Sequence, residues 1–226
     1  MEYFNDAWVI AVLQIIAIDI VLGGDNAIII ALACRNLPKH QRLAGILWGT
    51  AGAIILRVIL VFFATSLMEI SGLRLVGGIL LIWIGIKLLT EVETHDLDGK
   101  INQSSNLLTA IRTIIIADFV MSLDNALAIT AAAKGDIGLV VFGLLLSVPI
   151  IIWGSALILR LMERFPIIIT AGAGLLGWLG GGLMISDELL AEFTASSLPA
   201  IPTIAATVGT IFVIAVGRLL AKPKAE

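Results

Sequence analysis

Charge is what this chain has least of. Only 14% of its 226 residues are charged and 59% are hydrophobic, whereas soluble domains carry about 25% charged residues. That composition does not build a water-facing surface. Cysteine is nearly missing: Cys34 stands alone, so no intrachain disulfide can form and the redox compartment is unreadable. Histidine occurs only as His40 and His95. Neither lies in an apolar run, which argues against a Zn²⁺- or Cu⁺-selective intramembrane site. No Ser-His-Asp, Cys-His or HExxH arrangement is present, and no soluble segment is long enough to house separate chemistry. The expectation is a protein that is not an enzyme. The N-terminus is acidic and lacks the basic start and small-residue cleavage site of a signal peptide. The first helix is therefore expected to stay in the mature protein.

Long apolar runs are what is there, and about 20 such residues cross a bilayer. They predict spans at 7–34, 44–68, 72–90, 107–133, 137–160, 166–185 and 200–220. Pro38, Pro166 and Pro199 fall at span edges, where proline is tolerated, while Pro149 predicts a kink within span five. Seven spans put the termini on opposite sides, and the Lys/Arg bias decides which. With the N-terminus outside, the inner segments carry Arg35, Lys39, Arg42, Lys87, Lys100, Arg112, Arg160, Arg164, Arg218, Lys222 and Lys224. The outer segments carry only Arg74 and Lys134. The expected fold is an all-α membrane protein, one membrane domain over 1–226, N-out and C-in.

Acids interrupt this apolar sequence in a duplicated pattern. Asp19-Ile-Val-Leu-Gly-Gly-Asp25-Asn26-Ala returns 99 positions later as Asp118-Phe-Val-Met-Ser-Leu-Asp124-Asn125-Ala. The likeness continues: Ala53 to Arg57 matches Ala156 to Arg160, and Gly77 to Gly85 matches Gly172 to Gly180. Repeat 1 is read as 7–90, an inner loop as 91–106, repeat 2 as 107–185 and an extra helix as 200–220. Three spans per repeat is odd, so the second repeat must cross inverted. Inverted repeats with a midplane site are a transporter architecture.

An intramembrane carboxylate is costly and is a functional-site hypothesis by default. At a rise of about 1.5 Å per residue, Asp19 and Asp118 each fall near the bilayer centre. An unbroken helix would turn Asp19 and Asp25 to different faces. Gly23-Gly24 relieves this by unwinding the chain, which frees carbonyls as ligands where they line a cavity. Asp25 or Asn26 would then cap the second half-helix. In the other copy Ser122-Leu123 replaces the glycines, so its break should be weaker, with Ser122 offering a hydroxyl. Carboxylates, amide carbonyls and hydroxyls are hard donors suited to Mg²⁺, Ca²⁺ or Mn²⁺. The candidate metal ligands are Asp19, Asp25, Asn26, Asp118, Asp124 and Asn125. Four carboxylates exceed the charge of one divalent ion, so some must be protonated, paired with a cation or used in proton coupling. Arg57, mid-span, reads as a structural ion pair with an Asp, or as a mobile counter-charge.

These residues reach a known family. Asp19, Gly24, Asp25, Asn26 and Asp118, Ser122, Asp124, Asn125, in spans one and four of a small seven-span protein, resemble the TerC family. The resemblance covers about 7–220 and is to its shorter bacterial manganese-exporter branch. It implies Mn²⁺ as the transported or bound ion, efflux across the bacterial cytoplasmic membrane, and a secondary transporter, with proton exchange as the simplest coupling. Spacing alone implies only a hard divalent cation. Tellurite, from which the family takes its name, is an anion, and four carboxylates suit it poorly. Two rival readings stand beside this one. The chain is either an accessory protein handing metal to exported metalloenzymes near the secretion machinery, or a transporter of Ca²⁺ or a small solute. The partners expected are the lipid bilayer, the metal ion and protons, with a secretion-machinery partner or a homo-oligomer left open.

The remaining polar residues have plainer readings. Lys87 snorkels to the inner interface. Glu69, Asp136 and Asp187 lie at outer ends, solvated. His95-Asp96-Leu97-Asp98 is a solvated acidic loop. The glycines of 172–182, and Gly45, Gly49 and Gly52, mark close helix packing. Nothing points to nucleic acid, because the basic residues follow the inner face.

Overall fold

The computed structural model describes residues 10, 12–17, 19, 24–94, 107–133, 136–190 and 200–220, without the side chains at 68, 91–94, 124 and 127. Among these residues the chain is helical and contains no strand. The helices are α1 (Asn26–Cys34), α2 (Lys39–Met68), α3 (Leu73–Thr94), α4 (Leu107–Ala133), α5 (Ile137–Arg164), α6 (Ile167–Ile185) and α7 (Ile201–Leu220). Residues 12–17 are helical as well. In hydrocarbon no water satisfies N–H and C=O groups, so an apolar sequence must satisfy them within the helix. Intrahelical hydroxyls follow the same rule: Thr90 donates to the Ile86 carbonyl and Ser155 to the Ile151 carbonyl.

Among the described residues, α2, α3, α5, α6 and α7 are long and apolar enough to cross a membrane. α4 is 27 residues long and carries Asp118 and Asp124. The bounds of spans two to seven recur with one consistent difference, whereas span one, expected as 7–34, is helical at 12–17 and again over Asn26–Cys34 after a turn at Gly24 and Asp25. α2 begins at Lys39 rather than 44, and α3 and α5 continue to Thr94 and Arg164 rather than 90 and 160. Hydropathy marks the part of a helix in lipid, whereas the hydrogen-bond ladder continues into the charged ends. Pro38 and Pro166 precede α2 and α6, and Pro149 lies inside α5. Pro199 lies outside the described residues, as do Gly23, Lys100, Lys134, Lys222, Lys224 and the loop containing His95.

Contacts divide the chain into two compact units, residues 1–69 with 107–159 and residues 70–106 with 160–226. In the first unit α2 and α4 run side by side in the same direction. A Cβ on Gly45 would meet Leu107, and one on Gly49 would lie 2.4 Å from Ile114. Only glycine lets these helices approach so closely. Ile15 fits against Gly143 of α5. Ile30, Cys34, Leu37, Ile46, Ala110 and Ile114 form a buried apolar cluster in this unit.

In the second unit α6 packs antiparallel on both α3 and α7. A Cβ on Gly78 would lie 2.4 Å from the Gly180 carbonyl oxygen, and one on Gly85 3.1 Å from that of Ala173. Gly177 meets Gly209, and Gly181 meets Ala205, through backbone atoms.

The surface is apolar and part of the interior is polar. Trp48, Phe62, Phe63, Trp83, Trp153 and Leu219 are exposed, whereas Asp19, Asn26, Thr50, Arg57, Asp118, Ser122, Ser147 and Ser155 are buried. That inversion of the soluble pattern fits a protein solvated by lipid.

Candidate functional site

The buried face of α2 runs Ile46, Thr50, Ala53, Arg57, Leu60 and Ala64, the 3–4 spacing of one helix face. Arg57 lies at its centre and is 4% exposed. On α4, Asp118 and Ser122 lie one turn apart and are buried, as is Asp19. The Arg57 guanidinium ties these groups together. Its Nη1 donates to Asp19 Oδ1 and its Nη2 to Asp118 Oδ1. Its Nε donates to Ser122 Oγ at 3.0 Å, and that hydroxyl donates to Asp118 Oδ2 at 3.2 Å. Ser147 of α5 sets its hydroxyl against Asp19 Oδ2 and the Leu144 carbonyl, which share its one proton. One cation thus bridges the leading acids of both pattern copies, and each of the four carboxylate oxygens has a donor. In a low-dielectric interior, breaking such a pair strands a charge and costs about 3–5 kcal/mol.

Asp25 is arranged differently. It precedes α1, and its carbonyl accepts from the N–H groups of Ile28 and Ile29 at 3.0 and 3.1 Å. Its side chain makes no capping bond. Its backbone is right-handed helical (φ −68°, ψ −24°), not the extended form that aims a capping side chain at the second and third amides. The expectation that Asp25 caps the half-helix with its side chain is therefore corrected, and Asn26 is the first helical residue. Asp25 Oδ1 is instead buried without a hydrogen-bond partner, within electrostatic reach of Arg57 and Asp118. Buried polar atoms almost always have partners, so an orphan asks for an ion, a proton or a water.

Asn26 is 5% exposed and with Ile29, Ile30, Ala53, Ile114 and Asp118 lines a small cavity. It has room for about one water molecule. A hydrated divalent ion does not fit there.

The two copies differ more than their sequences suggest. Gly24 and Asp25 form a turn before α1, whereas α4 continues unbroken through Ser122, Leu123, Asp124 and Asn125. The weaker break expected in the second copy is no break, because Ser-Leu keeps the ladder that glycines release. The Ser122 hydroxyl serves Arg57 and Asp118. Asn125 lies half-buried on α4, and the Asp124 side chain lies outside the described residues. Among the described residues no three His, Cys, Asp or Glu side chains form a ready metal cluster. Asp19 and Asp118 meet at Arg57, not around a shared centre.

Two polar groups went unread in the sequence and a third was misread. Ser147 was visible only as a hydroxyl two residues before Pro149. Thr50 Oγ1 is buried on the Arg57 face without a partner. Asp187 was expected to be solvated but is 2% exposed. Its Oδ1 accepts from the amides of Gly72 and Leu189, and its Oδ2 from that of Leu75, each at 3.0 Å. The turn into α3 explains this: Gly72 takes φ +86°, which turns amides of the first α3 residues toward the carboxylate. Burial alone would raise the Asp187 pKa, but these backbone donors hold it below the ordinary value. Glu69 and Asp136 are exposed, as expected. Lys87 lies 5.4 Å from the Trp83 ring centre. Arg160, the sequence counterpart of Arg57, is exposed.

Spanning-length apolar helices, a lipid-facing surface and a buried ionic network define a multi-pass integral membrane protein. The chain belongs to the TerC family of integral membrane proteins, whose profile matches residues 4–225. It is 46% identical over 189 residues to the Bacillus subtilis membrane protein YjbE, covering 83% of this chain and 85% of that protein. It is 25% identical over 198 residues to YkoY of the same organism, covering 80% of this chain and 59% of YkoY. The Escherichia coli K12 inner membrane protein YgdQ is 29% identical over 177 residues, covering 71% and 73%. No solved structure matches the chain.

Proposed function

We propose that the protein is a secondary transporter that exports divalent cations, with Mn²⁺ as its cargo, across the cytoplasmic membrane. The observation that carries this reading is the unpartnered Asp25 Oδ1 beside two acids whose charges are shared by Arg57. Asp19, Asp25 and Asp118 are the hard-oxygen ligands, Asn26 supplies an amide oxygen, and Asp124 and Asn125 complete the set from α4. Such donors favour a hard divalent ion. The choice of Mn²⁺ among such ions rests on the family resemblance.

Two features support seven spans in inverted repeats, and the N-terminus is placed outside by the Lys/Arg bias alone. Residues matched by the duplication are Gly78 with Ala173 and Gly85 with Gly180. In space Gly78 meets Gly180 and Gly85 meets Ala173, the crossed pattern that a two-fold axis in the membrane plane produces. Parallel α2 and α4, with antiparallel α3 and α6, are the directions that alternate crossings require. Export draws on an ion gradient, with protons exchanged for the metal at the carboxylates.

Proteoliposomes loaded with Mn²⁺ test this, comparing wild type with Asp25→Asn and Asp124→Asn. The reading expects flux in the wild type and at least a tenfold loss in both variants. Unchanged flux in both sinks the site. Mn²⁺ binding without flux by the wild type transfers the role to a metal-delivery accessory.

A further inference from the structure

Among the described residues, Arg57 is the one cation buried in the first unit. It holds Asp19 Oδ1 and Asp118 Oδ1 simultaneously, while Ser147 and Ser122 hold their second oxygens. A metal ion that uses either acid must take oxygens already occupied, so cargo and guanidinium exclude one another there. Asp25 Oδ1 has no donor and lies within electrostatic reach of Arg57. It is the oxygen a cation meets without displacing anything.

We propose that Arg57 is a tethered counter-ion. Cargo docks first on Asp25, then displaces Arg57 from Asp19 and Asp118. When cargo leaves, Arg57 re-docks and offsets one of the pair's two charges. This inference rests on the carboxylate-site reading above and adds a function that the ligands alone lack. Without Arg57, the returning carrier would hold two uncompensated carboxylates in a low-dielectric interior, where unpaired charge is prohibitive; with Arg57 docked, one exchanged proton leaves the pair neutral. Arg57 therefore enables the empty return step. Net transport requires that step, whereas one-for-one exchange of cargo does not.

Arg160, the sequence counterpart of Arg57, is exposed. Ser122 receives Nε and keeps the guanidinium beside α4, so its excursion is short.

The test measures two fluxes in proteoliposomes: net Mn²⁺ efflux into Mn²⁺-free buffer, and radiolabelled Mn²⁺ exchange with Mn²⁺ on both sides. Arg57→Gln is expected to lower net efflux at least tenfold and to keep exchange within about threefold of wild type. Arg57→Lys is expected to recover net efflux. Equal loss of both fluxes in monodisperse Arg57→Gln, or undiminished net efflux, overturns the inference. If Arg57→Gln is not monodisperse, Arg57→Lys decides: exchange without net efflux there also overturns it. A wild type that supports neither flux removes the transport reading itself.

Discussion

At the scale of single residues, the polar groups of the first unit divide by whether they already have partners. Asp19 and Asp118 are satisfied and hold Arg57 in place. Asp118→Ala should destabilise the protein by about 3 kcal/mol, because it leaves the buried Arg57 Nη2 and Ser122 hydroxyl without their acceptors. Asp25 is the reverse case. Its orphan oxygen contributes unfavourably to folding, so Asp25→Asn should unfold at the same temperature as wild type or higher, while losing transport. Stability given up at a site is a common mark of function. Thermal unfolding in detergent checks the order, and an Asp25→Asn variant as unstable as Asp118→Ala would contradict it. The duplicated acids were legible in the sequence because charge stands out against apolar residues. Which acid is free was not legible. It depends on Arg57 reaching both copies and on the backbone angles at Asp25, which no spacing encodes.

Helix ends and helix contacts carry the predictions at the scale of elements. Asp187 ties the start of α3 to the segment after α6 through the amides of Gly72 and Leu75, while the Leu189 amide closes its own turn. Asp187→Ala should cost about 1–2 kcal/mol, the usual effect of losing a cap. The pH dependence has a definite sign. Asp187 has a lowered pKa in the folded protein, so its contribution is present above the unfolded value of about 4. It disappears as pH falls through the folded value. The stability gap between wild type and Asp187→Asn should be constant above about pH 5 and close below about pH 4. A gap unaffected by acid would contradict this. Glycines give a paired test. A Cβ on Gly177 would lie 2.4 Å from the Gly209 carbonyl oxygen, whereas one on Gly182 meets nothing within 4 Å. Gly177→Ala should cost about 1–3 kcal/mol, and Gly182→Ala should be neutral or slightly stabilising. Both glycines belong to one Gly-rich stretch, and only their partners on other helices separate them. The sequence showed that packing was close there but not which residue bears it.

At the scale of the whole molecule, the helix limits were readable because lipid and hydrogen bonding force one solution. Their charged extensions were hidden because hydropathy reports the solvent, not the backbone. Orientation is open to a simple check, since Cys34 is the single cysteine and is buried. Ser71 and Lys39 are exposed, just before α3 and at the start of α2. With the N-terminus outside, Ser71→Cys should react with an impermeant thiol reagent in intact cells, and Lys39→Cys only after lysis. The opposite labelling would invert the topology. The central claim, however, concerns where the cation binds. Anomalous scattering at the manganese edge, from crystals grown with Mn²⁺, tests it most directly. The account predicts one strong peak at about 2.0–2.6 Å from carboxylate oxygens, the range of hard divalent ions, with Asp25 among its ligands and Arg57 withdrawn from at least one acid. A peak away from Asp19, Asp25 and Asp118, or none at saturating Mn²⁺, would contradict it.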